Sequence, residues 1–192
     1  MRRHAATTRR DLPTEASVVL FDYPGRGAST GPATPECTIM AGAAVADWAT
    51  ARPPGPLVYH GFSFGGFIAA HAAAQAQVER APALVVLEST AVNVRSWISD
   101  VSGPLGGAVA VDLPPALDRF DNAQALATSR AEIWIVGAAD DRSVPGTQAR
   151  ALYEALILAD RNATLDIFPG GHGAALQSRD GQSAYAERVA NL

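Results

Sequence analysis

The fold of this chain is decided by one stretch, Val58-Tyr59-His60-Gly61-Phe62-Ser63-Phe64-Gly65-Gly66. It holds the pattern Gly-x-Ser-x-Gly, with an apolar strand-like run before it and an alanine-rich run, 67–78, after it. The order strand, sharp turn and helix is typical of a nucleophilic serine held clear of the main chain. Small residues are expected two before and two after the serine, because a Cβ there would collide with neighbouring backbone. Ser63 is therefore the candidate nucleophile, against the simpler interpretation of an ordinary serine in a glycine-rich turn.

The composition suits one globular domain, with 192 residues, of which 48% are hydrophobic and 18% charged. The net charge of −4 argues against a nucleic-acid binder, since the basic residues form no stripe beyond two arginine pairs near the N-terminus. The single cysteine, Cys37, excludes an internal disulfide, and no spacing of His, Cys and carboxylates predicts a metal or cofactor site. We expect no membrane span and, by default, a cytoplasmic protein, unless a missing N-terminal segment carried a signal or an anchor.

Short apolar runs alternate with helical patterns along the chain. The strands are predicted at 16–22, 57–59, 83–87, 132–136 and 163–168. The helices are predicted at 35–50, 67–80, 94–101, 122–128, 146–158 and 174–190. This alternation predicts an α/β fold, in which a mostly parallel sheet is flanked by helices on both faces. The region 89–128 is broken by Gly and Pro, so we expect it to be a small, irregular cap-like insertion in a single domain, 1–192.

The candidate catalytic side chains follow the carboxyl ends of predicted strands, where open α/β sheets bind ligands. A serine hydroxyl is a weak nucleophile and needs a base, which in turn needs a group that fixes its tautomer. His172 follows the last predicted strand in the loop Pro169-Gly170-Gly171-His172-Gly173 and is free to reach across to Ser63. The three other histidines are less suited, because they lie in the polar tail, inside the strand before Ser63, and two turns along the following helix: His4, His60 and His71.

The acid that orients the base is expected in the loop after the strand 132–136. Asp140 and Asp141 are adjacent there, so only one of them can point at His172. We favour Asp141, because Val144 and Pro145 follow it at the spacing usual in such loops, and keep Asp140 as the alternative. The chain order Ser63, Asp141, His172 is the order that hydrolases with a Gly-x-Ser-x-Gly turn show.

These motifs resemble those of the α/β-hydrolase family over about residues 17–192. The resemblance lies in 21–29 (Phe-Asp-Tyr-Pro-Gly-Arg-Gly-Ala-Ser), 61–66, 119–122, 140–145 and 171–172. It implies a serine hydrolase of the esterase, thioesterase or acyl-peptidase kind with a small cap, acting on a small acyl compound. By this likeness Ser63 is the nucleophile, His172 the base and Asp141 or Asp140 the acid. The N–H of Phe64 is one donor to the oxyanion hole, and Asp22 is a structural turn residue.

One departure concerns the N-terminal side. In the family three strands usually precede the strand that ends at Asp22, and a His-Gly loop there gives the second oxyanion donor, whereas this chain has only about sixteen residues before that strand. The fold is thus expected to be N-terminally truncated, and losing one donor typically costs about 100- to 1000-fold in turnover. Two alternatives therefore stay open: a non-catalytic fragment or pseudoenzyme, and another reaction on the same fold.

Phe62, Phe64 and Trp97 are candidates to line an apolar acyl pocket, and nothing in the sequence indicates an oligomeric state.

Overall fold

The computed structural model describes residues 16–52, 55–102 and 113–192. The N-terminal arginine pairs and the middle of the predicted cap, 103–112, lie outside these residues. The four strands are β1 (Val58–Phe62), β2 (Leu84–Glu88), β3 (Glu132–Ala138) and β4 (Ala163–Phe168). The α-helices are α1 (Pro35–Thr50), α2 (Gly65–Gln75), α3 (Val94–Val101), α4 (Asn122–Leu126), α5 (Gly146–Leu158) and α6 (Arg179–Ala190).

The strands form one sheet in the order β1-β2-β3-β4, and every neighbouring pair is parallel. Strand β2 is central, since Val86 is in register with His60 of β1 on one side and with Trp134 of β3 on the other. All five residues of β2 are buried, which explains why its first four residues are all apolar: a parallel strand covered on both faces has no side that faces solvent. The predicted parallel α/β sheet is confirmed.

Helices cover both faces of the sheet, as the sequence predicts. On one face, Val85 and Leu87 of β2 pack with Ile133 and Ile135 of β3 against apolar residues of α2, α4 and α5. On the other face, the alternate residues of β2 and β3 pack against α6, around the fully buried Trp134. Because side chains alternate along a strand, the two core clusters lie on opposite sides of the same two strands.

The predicted first strand, 16–22, does not form. These residues form no regular element and have no ladder partner among the described residues, and β1 is the edge strand on that side. Val18, Val19 and Leu20 remain 39%, 46% and 56% exposed. The sequence has the right residue types for a strand, but a strand also needs a neighbour for its N–H and C=O groups, and none is present in this part of the chain.

Three predicted helices are shorter than expected, and one of them, α4, ends at Leu126 instead of 128. The α-helical part of α2 ends at Gln75, and a separate 3₁₀ turn covers Val78–Arg80. The last predicted helix is likewise divided into a 3₁₀ turn at Ala175–Gln177 and α6, which begins after the N-cap Ser178. Helices α1 and α5 match their predicted bounds. In the predicted cap, an isolated bridge joins Asn93 to Asp121 and closes the segment that contains α3.

Among the described residues, no helix combines the length and the apolar character that crossing a lipid bilayer requires.

Candidate active site

The turn between β1 and α2 carries Ser63 in a strained backbone conformation. Its φ angle is 52°, in the left-handed region that favours glycine. The Ser63 N–H donates to the carbonyl oxygen of Glu88 at 2.8 Å, which fixes the turn to the end of the neighbouring strand. A Cβ added at Gly61 would lie 2.3 Å from the carbonyl oxygen of Gly65, so only glycine fits there. The strained turn predicted from the sequence is therefore present.

The two glycines after Ser63 have different roles. A Cβ on Gly65 would meet no backbone atom, and its nearest neighbour would be the Tyr23 hydroxyl oxygen at 3.3 Å. The expectation of a backbone collision at this position was wrong. A Cβ on Gly66 would come within 2.4 Å of the Thr90 side chain, so this glycine lets α2 approach the loop after β2.

The structure brings Ser63, His172 and Asp141 together in a continuous chain of hydrogen bonds. The Ser63 hydroxyl lies 3.1 Å from His172 Nε2, and His172 Nδ1 lies 2.8 Å from Asp141 Oδ2. The three residues follow the carboxyl ends of β1, β4 and β3, respectively. With a proton on Nδ1, the imidazole donates to the carboxylate and presents a free lone pair to the serine hydroxyl.

Asp141, and not Asp140, contacts the imidazole. The Asp141 side chain is fully buried, and its second oxygen, Oδ1, accepts hydrogen bonds from the main-chain N–H groups of Ser143 and Val144, both at 2.9 Å. Asp140 is exposed, while its N–H donates to the Gly170 carbonyl and ties this loop to the loop of His172. The buried carboxylate is thus held from both sides, and the exposed one faces solvent.

The remaining histidines of the described residues have partners elsewhere. His60 Nε2 donates to the Glu88 carboxylate at 3.1 Å, below the turn. His71 Nε2 donates to the Arg119 carbonyl at 2.6 Å, so it braces the predicted cap against α2. Neither imidazole lies in the hydrogen-bond chain of Ser63.

Sequence reasoning overlooked Glu88. It is only 3% exposed, and besides His60 it accepts a hydrogen bond from the Leu176 N–H at 3.4 Å, four residues beyond His172. The available signal was a charged residue that directly continues the apolar run of β2, since buried carboxylates are rare and almost always paired.

Aromatic side chains flank Ser63 in the chain and contact the loop that carries Asp141. The Phe62 ring lies 4.8 Å from the His172 ring, centroid to centroid. Phe64 is 42% exposed and packs edge-to-face on Phe120 at 4.8 Å. Trp97 is 36% exposed, and its indole N–H donates to the carbonyl of Ser143, beside Asp141. An apolar, partly open surface therefore adjoins the candidate nucleophile.

The Phe64 main-chain N–H makes no hydrogen bond to any acceptor in the described part of the chain. It sits at the N-terminus of α2, where amide groups point outward and favour negative charge.

In residues 16–52, 55–102 and 113–192, no three His, Cys, Asp or Glu side chains gather as a metal-ion site.

Comparison with known proteins agrees with this architecture. A sequence model described as the alpha/beta hydrolase fold matches residues 8–127, more than half of the chain. No curated protein matches the chain significantly. Among solved structures, an esterase of Pyrococcus furiosus has a TM-score of 0.74 at 16% identity, covering 100% of this chain and 74% of its own.

Two further solved structures show the same fold at low identity. A truncated carbohydrate esterase from gut microbiota has a TM-score of 0.67 at 17% identity, covering 83% of this chain and 69% of its own. An acylaminoacyl peptidase of Pyrococcus horikoshii has a TM-score of 0.55 at 15% identity over 76% of this chain. The matched region spans only 24% of that peptidase. At these identities the likeness concerns the fold.

Proposed function

The chain belongs to the α/β-hydrolase fold family, and from this premise we propose that it is a serine hydrolase that cleaves a carboxylic ester, a thioester or a related acyl bond. Ser63 is the nucleophile, His172 the general base and acid, and Asp141 the carboxylate that orients the imidazole. The Phe64 N–H is one donor to the oxyanion.

One observation carries the proposal: the hydrogen-bond chain from Ser63 Oγ through both nitrogens of His172 to Asp141. Its two links measure 3.1 and 2.8 Å, which is within the reach that proton transfer needs. A surface-loop histidine would have no reason to bridge a strained serine and a buried carboxylate. The arrangement supports nucleophilic catalysis over a purely structural role for the turn.

The reaction proceeds in two halves. Ser63 Oγ attacks the acyl carbon while its proton moves to His172 Nε2, and the carbonyl π electrons move onto the oxygen. The intermediate collapses to an acyl-enzyme, and the leaving group departs with the proton from His172. Water then repeats these steps through the same base and releases the acid. Asp141 stays ionised throughout and stabilises the positively charged imidazole.

The acyl group of the substrate is apolar. This part of the proposal is supported by the exposed faces of Phe64 and Trp97 and by the Phe62 ring against His172. Such a surface favours an alkyl or aryl acyl group, because contact removes apolar area from water.

Replacing Ser63 with alanine tests the nucleophile. We expect Ser63→Ala to reduce p-nitrophenyl butyrate hydrolysis to the rate of the buffer blank, since the acyl-enzyme cannot form. Ser183→Ala is the matched control, because Ser183 is exposed on α6 and its loss should leave the rate unchanged. If Ser63→Ala hydrolyses the ester as fast as the unaltered protein, the proposal is wrong.

A fluorophosphonate probe separates the enzyme from a non-catalytic relative of the same fold. We expect the folded protein to be labelled on Ser63, with labelling abolished in Ser63→Ala and retained in Ser183→Ala. Absence of labelling in a sample with native circular dichroism would favour a non-catalytic role.

A further inference from the structure

The Tyr23 side chain reaches the turn that carries Ser63. Its hydroxyl oxygen lies 3.3 Å from the position that a Cβ on Gly65 would occupy. Its ring packs edge-to-face on Phe64, with a centroid separation of 6.1 Å, and on Phe21, at 5.5 Å. These contacts hold the phenol beside the Phe64-Gly65 main chain, which also carries the outward-facing N–H of Phe64.

The Tyr23 hydroxyl has no hydrogen-bond partner within the described part of the chain. It is also not among the fully buried polar atoms that lack a partner, so solvent or a ligand reaches it. A donor of this kind would ordinarily find an acceptor when its ring is packed. The hydroxyl therefore has a free hydrogen bond to donate beside the turn that carries Ser63.

Burial keeps this phenol in its donating form. Desolvation raises the pKa of Tyr23 above its ordinary value near 10. The hydroxyl therefore stays protonated at neutral and mildly alkaline pH. In this form it can donate a hydrogen bond, and it bears no negative charge that would repel an oxyanion.

We propose that the Tyr23 hydroxyl is the second donor to the oxyanion, beside the Phe64 N–H. The inference rests on the proposed serine hydrolase activity. When Ser63 Oγ bonds to the acyl carbon and its proton passes to His172, the carbonyl π pair becomes a lone pair on oxygen. That oxygen accepts hydrogen bonds from Phe64 N–H and Tyr23 O–H, and no proton leaves the tyrosine. On collapse, the lone pair re-forms the carbonyl bond and both donors are released.

The substitution Tyr23→Phe removes only the hydroxyl and keeps the ring contacts with Phe21 and Phe64. We expect kcat for p-nitrophenyl butyrate to fall about 100- to 1000-fold, as for the loss of one oxyanion donor. KM should change little, because the ground-state carbonyl bears little charge. A trifluoromethyl ketone, which forms a tetrahedral adduct on the serine, should lose affinity by a similar factor. A purely structural role for the hydroxyl predicts neither the kcat-specific loss nor the parallel loss of affinity.

Tyr153→Phe is the matched control. Tyr153 packs against the core cluster formed by β2, β3 and their covering helices, away from the turn, so its hydroxyl should not affect kcat. A rate that depends on Ser63 but is unchanged in Tyr23→Phe would overturn the role of Tyr23 alone. A rate that survives Ser63→Ala would overturn the hydrolase mechanism and the oxyanion role with it.

A second measurement keeps the test informative if Tyr23→Phe folds poorly. Incorporating 3,5-difluorotyrosine at position 23 retains the hydroxyl and lowers its pKa. We expect kcat of this protein to fall as pH rises through the lowered phenol pKa, a loss that the unaltered protein does not show over the same range. An identical pH profile for the two proteins would contradict the proposal.

Discussion

The carbonyl oxygen of Glu88 accepts the N–H of Ser63 at 2.8 Å, so the end of β2 holds the turn that follows β1. The carboxylate of the same glutamate accepts hydrogen bonds from His60 and from the Leu176 N–H. Glu88 thereby anchors the strand before Ser63, Ser63 itself and the segment just beyond His172.

Removing the Glu88 carboxylate should destabilise the protein and weaken catalysis. Glu88→Ala leaves the His60 N–H and the Leu176 N–H without their partner in a partly buried site, and such losses cost up to about 1–3 kcal/mol. We expect a lower free energy of unfolding in urea and a reduced kcat. Glu132→Ala is the control, because the Glu132–Arg188 pair is partly exposed and should contribute about 0–1 kcal/mol. Equal effects of the two substitutions would contradict the role given to Glu88.

The two neighbouring aspartates should differ sharply in their effect on turnover. In Asp141→Asn the amide can donate to His172 Nδ1, which favours the wrong imidazole tautomer, and we expect kcat to fall about 10⁴-fold. Asp140→Asn changes an exposed side chain that does not touch His172, and kcat should stay within about twofold. Steady-state hydrolysis of p-nitrophenyl butyrate measures both. Loss of activity in Asp140→Asn with Asp141→Asn unaffected would reverse the assignment.

The glycine two residues before Ser63 should not tolerate a side chain. In Gly61→Ala the new Cβ would lie 2.3 Å from the Gly65 carbonyl oxygen, a backbone atom that cannot move without shifting the turn. We expect a stability loss of about 1–3 kcal/mol together with loss of hydrolysis. In Gly55→Ala the added Cβ meets nothing within 4 Å, so stability and activity should match those of the unaltered protein. Thermal melts and ester assays on both variants make the comparison.

Stability should fall at alkaline pH because of Tyr185. Burial, helped by the negative charge of Glu88, raises the pKa of Tyr185 from its ordinary value near 10 to about 12. The folded state therefore holds this proton where the unfolded state loses it. The resulting stabilisation is complete below pH 10 and declines as pH rises from 10 to 12, by about 3 kcal/mol in all. Urea titrations across this range should give a shallower decline for Tyr185→Phe; parallel declines would show that other groups cause the loss.

Phe64 should set a preference for longer acyl groups. If its exposed ring contacts the acyl chain, each additional buried CH₂ should raise kcat/KM by about fourfold. We expect Phe64→Ala to reduce the advantage of p-nitrophenyl butyrate over the acetate towards unity while retaining the main-chain N–H. Trp48→Ala removes an equally exposed aromatic ring from α1 and should leave the ratio unchanged. An undiminished ratio in Phe64→Ala would place the acyl group elsewhere.

Most of the fold was predictable because local pattern and tertiary environment agree. The runs 83–87 and 132–136 are apolar enough to be buried on both faces, the run 163–168 is partly buried at the edge of the sheet, and each is a strand in the structure. The run 16–22 has the same character but stays outside the sheet. Whether such a run becomes a strand depends on a hydrogen-bonding neighbour that its own residues do not specify.

The candidate site was predictable in its residue types but not in its partners. The glycine pattern indicated Ser63, and a histidine in a flexible glycine-rich loop indicated His172. The local spacing to Val144 and Pro145 favoured Asp141 over Asp140, but the two side chains are chemically identical. Their burial differs, and burial depends on the packing of distant segments. The positions of Tyr23 and Glu88 beside the turn likewise arise from contacts between elements that are far apart in the chain.

Ser63 and His172 are 109 positions apart in the chain, and the carboxylate comes from the end of a third strand. A polypeptide released before β4 is complete can contain Ser63 and Asp141, the proposed nucleophile and acid, yet lacks His172, the proposed base. Contacts this distant along the chain form late during folding. After dilution from denaturant, ester hydrolysis should therefore recover more slowly than the helical circular dichroism signal. The difference between the two rates would measure how slowly the C-terminal segment docks.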